Sequence, residues 1–75
     1  MTLDSTSVQA IIRAGASVTV SSKDFDATSL QAMARVAKEA GTTLTVKVNS
    51  NLNSTSLQGI AKAGGGRVVI DLTAI

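Results

Sequence analysis

A chain of 75 residues with seven Lys and Arg against five Asp and Glu, net charge +2, has room for one small domain that buries about 60% of the surface its unfolded form exposes. It contains no Cys, His, Pro, Trp or Tyr, and Phe25 is its single aromatic residue. Disulfide staples, thiolate zinc sites and an imidazole general base are therefore excluded, and the core must be built from Val, Ile, Leu, Met and Ala. No apolar run approaches the roughly 20 residues that span a bilayer. The segment after Met1 lacks the basic start and apolar stretch of a signal peptide. The expectation is a soluble protein, cytoplasmic by default, with no membrane association.

One phrase recurs: LDSTSVQAIIRAG from Leu3 to Gly15, FDATSLQAMARVA from Phe25 to Ala37, and LNSTSLQGIAKAG from Leu52 to Gly64. Thr6 with Gln9, Thr28 with Gln31 and Thr55 with Gln58 each fit a capping box, in which Thr accepts from an amide of the first turn and Gln reaches back. Loss of the Thr28 or Thr55 hydroxyl is then expected to cost about 1 kcal/mol. After each cap the apolar residues take helical spacing: Val8, Ile11 and Ile12; Leu30, Met33, Ala34 and Ala37; Leu57, Ile60 and Ala61. Gly15, Gly41 and the run Gly64 to Gly66 stand where these helices should stop.

Downstream of each Gly the period shortens to two. Val18 and Val20, then Leu44, Val46 and Val48, then Val68, Ile70 and Leu72 alternate with mostly polar neighbours. Strands joined through helices run parallel, and alternation rather than continuous apolar runs places the helices on one face only. The predicted fold is α/β: three helix-strand units in one domain, approximately 3–25, 26–51 and 52–75, forming a small parallel sheet as a short α/β solenoid. IDLTAI echoes the phrase a fourth time, with Ile70, Asp71, Thr73 and Ile75 aligned on Leu3, Asp4, Thr6 and Val8. Two readings follow: a short complete protein whose last strand runs through Leu72, or a unit that continues in a longer array or stacks on copies of itself.

LTVKVNSNL, Leu44 to Leu52, resembles the strand and turn of leucine-rich repeats, with Val46, Val48 and Asn51 where that family has two Leu and its turn Asn. Leu52 falls one residue early for the pattern, and Lys23 stands where the first unit should have Asn. The resemblance implies a recognition scaffold that uses its open strand face and carries no enzyme activity.

Each candidate site has a structural counterpart. AGGGR, Ala63 to Arg67, looks like a phosphate loop, but it follows a helix and leads into a strand, the reverse of the order that aims amides at phosphate. Asp4, Asp26, Asn53 and Asp71 give one acidic or amide residue per unit, too sparse for a calcium ladder and placed where a carboxylate favours a helix N-terminus. Lys47 and Asp71 should form an exposed ion pair, or share a partner-binding sheet face with Thr19, Thr45, Arg67 and Val69. Arg13, Arg35 and Lys62, with Lys38 close by, should form a basic stripe on the helices. Nucleic acid would also require stacking aromatics or a recognition helix. Asp24 and Asp26 are the closest acidic pair, and a domain this thin has no evident pocket for them.

The function expected is a noncatalytic module that binds a protein partner or copies of itself, with polyanion binding through Arg13, Arg35, Lys38 and Lys62 as the alternative. No catalytic residue, metal, cofactor or small-molecule substrate is expected.

Overall fold

The computed structural model describes residues 4–48 and 52–73. The expectations placed on Leu3, Asn51 and Ile75 lie outside these residues. Helix and strand alternate: α1 (Ser5–Arg13), β1 (Val18–Ser21), α2 (Ala27–Ala40), β2 (Leu44–Lys47), α3 (Ser54–Gly64) and β3 (Val68–Asp71). The strands form a three-stranded parallel sheet in the order β1-β2-β3, with Val18 opposite Leu44 and Leu44 opposite Val68. This is the mixed α/β architecture that the change of period predicts. β3 ends at Asp71 and leaves Leu72 exposed.

The helix starts differ from expectation. Asp4, Asp26 and Asn53 are the N-caps, each with extended backbone, and each accepts at 2.8 Å from the amide of Ser7, Ser29 or Ser56. The residues assigned as caps, Thr6, Thr28 and Thr55, lie one residue inside the first turn and are exposed. The reason is steric and local. An Asx oxygen hung on an extended residue reaches the amide three residues on, whereas a Thr already in helical backbone points away from it.

Gln9 Nε2 instead donates to Ser5 Oγ at 2.9 Å, and Gln58 Nε2 to Ser54 Oγ at 3.0 Å. In α2 the corresponding position is Ala27, which offers no oxygen. Gln31 lies across the helix boundary against Gly59, where an added Cβ would stand 2.8 Å from Gln31 Nε2. Ala27 and Gly59 are thus matched departures from the repeat: one frees the amide and the other makes room for it.

At the other end of α2, Gly41 takes φ 73° and closes the helix with a left-handed residue. α1 stops without one, on Ala14 in right-handed conformation, and Gly15 follows at φ 107°.

The core lies between the helices and one face of the sheet. Val8, Ile12, Leu30, Met33, Ala34, Val36, Ala37, Leu44, Val46, Val48 and Ile60 are buried there. Val18, Val20, Phe25, Leu57, Val68 and Ile70 are only partly covered around its margin. The buried Thr42 hydroxyl has no hydrogen-bond partner, which makes it a polar atom desolvated without return.

Two outcomes test this account. Asn53→Ala should lower stability by about 1 kcal/mol, and Thr55→Ala should stay within about 0.5 kcal/mol of the parent in denaturant titration. Thr42→Val removes the orphan hydroxyl at nearly constant volume and should raise the urea midpoint; a lowered midpoint would show that the hydroxyl is satisfied.

Candidate interaction surfaces

The open face of the sheet is made by the residues between the core positions. Thr19, Thr45 and Val69 form one row across the three strands, and Ser21, Lys47 and Asp71 form the next. Thr19, Lys47 and Val69 are exposed, while Thr45 and Asp71 are half-buried. Sheet pairing therefore gathers these predicted site residues on one surface. Arg67 directly precedes β3 beside them, but its Nη1 donates to the Gly41 carbonyl at 3.0 Å, tying the β3 entrance to the turn that closes α2.

Lys47 and Asp71 stand opposite each other in the register, yet the expected ion pair is not formed. Asp71 Oδ1 accepts from Thr73 Oγ1 at 2.6 Å and from Thr73 N at 2.9 Å. Those bonds hold the Asp71 carboxyl below its usual range, with the Thr73 hydroxyl contributing most and Lys47 least. A short Asx turn leaves the carboxylate facing its own chain rather than across the strands.

Arg13, Arg35 and Lys62 occupy the same place in each helix, nine residues after the N-cap, and all three are exposed. Lys38 stands apart from that row. Its aliphatic stem lies over Gly65, where an added Cβ would be 3.0 Å from Lys38 Cδ and Cε. Arg13, Lys38 and Lys62 are also the last-turn basic residues of their helices, a position that complements the helix dipole without any ligand. No aromatic residue accompanies them.

Asp4 and Asp26 are occupied as caps. The Ser7 and Ser29 amides, followed by the Ser7 and Ser29 side chains, hold their carboxyls below the ordinary range. Among the described residues no group of three or more His, Cys, Asp or Glu could hold a metal ion, and no helix is long and apolar enough to cross a membrane.

Two surface residues carry information that helical and strand periodicity missed. Helical spacing groups Ile11 with the buried face of α1, yet it is 40% exposed, and alternation places Leu72 on β3, yet it is 50% exposed. With Val69 at 49%, they are the exposed large hydrophobic residues among those described. No known protein family, curated protein or solved structure matches the chain.

The caps give the site's electrostatics a pH signature. Asp4 and Asp26 have lowered folded-state values, so their contribution is complete above the ordinary carboxylate value of 3.8 and is lost as pH falls through the lower folded value. Asn53 does not titrate. In an NMR acid titration the amides of Ser7 and Ser29 should shift below pH 3.8 while Ser56 stays fixed; a matching shift at Ser56 would mean that helix starts melt together rather than cap by cap.

Proposed function

We propose that this chain is a noncatalytic repeat module, a short α/β solenoid, whose work is to bind protein, copies of itself included. The observation that carries this reading is the placement of Ile11 and Leu72. Both are large apolar side chains left in water among the described residues, and burying them by association would add stability that a domain this thin lacks. The alternation of helix and strand along one parallel sheet supports the same reading, since solenoids built this way work as binding surfaces.

The chemistry of the chain points the same way. Asp4, Asp26 and Asp71 spend their carboxylates on their own backbone. With no His or Cys in the sequence, a nucleophile would have to rely on Lys as its base.

Sedimentation and light scattering across the micromolar range test the proposal. The weight-average mass should rise above the 7.6 kDa of one chain and fall on dilution. A mass fixed at one chain throughout would overturn self-association. Retention on heparin that weakens steeply with salt, and is lost in the Arg13→Ala, Lys62→Ala double variant, would favour the polyanion alternative instead.

A further inference from the structure

The repeated phrase allows each helix to be compared with the other two at equivalent positions, counted from the N-caps Asp4, Asp26 and Asn53. Five residues on, Gln9 and Gln31 are half-buried and Gln58 is exposed. Eight residues on, Ile12 and Ala34 are buried and Ala61 is exposed. The opposite flank behaves in the opposite way. Six residues on, Ala10 is exposed while Ala32 and Gly59 are half-buried; seven residues on, Ile11 is exposed while Met33 and Ile60 are buried. Eleven residues on, Ala37 and Gly64 are buried, while α1 has already ended before that position.

Only one arrangement produces this pattern. The fifth and eighth positions of a helix face the helix that follows it, and the sixth, seventh and eleventh face the helix before it. Close contacts between α2 and α3 agree: Gln31 meets Gly59, and Ala34 Cβ would stand 3.5 Å from a Cβ built at Gly64. Ile11 is therefore exposed because α1 has no described helix before it, and Ala61 because α3 has none after it. Leu72 tells the same story on the sheet: its equivalent beside β2, Val48, is 2% exposed.

The strand edges are complementary in phase. Ser22 N donates to Lys47 O at 3.0 Å, and Leu44 N and Val48 N donate to Arg67 O and Asp71 O at 2.9 Å. Even-numbered residues of β1 and β2 thus direct their backbone toward the next strand. By the same alternation Val68 and Ile70 aim theirs outward from β3, and Thr19 outward from β1. No strand lies beyond either edge among the described residues. Pairing Val68 with Val18 of another copy would repeat the step that links Val18 to Leu44 and Leu44 to Val68, and would keep Val18, Val20, Val68 and Ile70 on the helix side.

We infer that the α1/β1 edge of one copy docks on the α3/β3 edge of a second copy, head to tail, continuing the sheet and the helix layer in the internal register. The occupant is a second copy because the two open edges reproduce the two halves of the α1/β1 to α2/β2 and α2/β2 to α3/β3 boundaries already present in the chain. The contact is heterologous, so both edges of every copy remain usable and growth continues until a ring closes. This inference rests on the self-association reading above and adds its surface and its polarity.

The test is complementation between two blocked edges. Ile11→Lys places a charge on the leading edge and Ala61→Arg places a bulky one on the trailing edge, both at exposed positions where helical circular dichroism should be retained. Each variant alone should associate at least about tenfold more weakly than the parent. Their equimolar mixture should form a capped dimer of twice the chain mass by sedimentation, since each contributes the edge the other has lost. Val69→Lys, on the open face, should leave assembly unchanged.

Two variants that stay monomeric when mixed, beside a parent that associates, would overturn the head-to-tail contact but leave self-association standing; so would loss of assembly in Val69→Lys. A monomeric parent would remove both. Should either helix variant unfold, Leu72→Lys serves as the trailing-edge block and Ala10→Glu as the leading-edge block, read by the same mixture.

Discussion

The whole structure depends on the burial that α2 and β2 obtain from having a neighbour on each side. Leu30, Met33, Ala34, Val36, Ala37, Leu44, Val46 and Val48, eight of the eleven buried apolar residues among those described, belong to this central unit or directly follow it. Among the described residues the outer units supply Val8, Ile12 and Ile60. A single layer of helices on a three-stranded sheet closes its middle and leaves its flanks half-wet, whatever the side chains. With one aromatic residue in the chain, no large side chain is available to wrap those flanks. At about 25 cal/mol per Å² of apolar surface, each half-covered Val or Ile leaves part of its available stabilisation unrealised.

That constraint separates what could be read in the sequence from what could not. Element type and order were legible, because the change of period from helical to alternating at each Gly is a strong local signal. The sheet face was legible too, since Thr19, Thr45 and Lys47 alternate with apolar residues. Helix starts were misplaced by two residues. Asp, Asn, Ser and Thr are all good caps, and the phrase DSTS or NSTS offers several in succession. Only the backbone, extended at Asp4, Asp26 and Asn53, decides among them.

Ile11 was not legible for a different reason. Its place in the phrase is that of Met33 and Ile60, and periodicity assigns a residue to a face of its helix without saying whether another helix lies against that flank. The Lys47 to Asp71 pair failed because register was legible while the competing acceptor role, with Thr73 two residues away, was closer and cheaper in chain entropy. Burial at equivalent positions differs between units that are otherwise alike, because only the central unit has a described neighbour on both flanks.

Variation between the copies also changes meaning once the boundaries are known. Ala27 and Gly59 differ from the phrase in order to seat Gln31 between α2 and α3, and Arg67 differs in order to bond the Gly41 carbonyl. These are internal fittings rather than ligand contacts. What remains unspent is the row Thr19, Thr45 and Val69 on the open face and the two flanks of the layer. The flanks combine the outward-directed backbone of Thr19, Val68 and Ile70 with the exposed side chains of Ile11 and Leu72, whereas the open face offers side chains alone. Arg13, Arg35 and Lys62 would continue as one row across a head-to-tail contact, at like charge. Their repulsion opposes growth in dilute buffer and is screened as the Debye length shrinks, so salt should act on self-association in the direction opposite to its effect on polyanion binding.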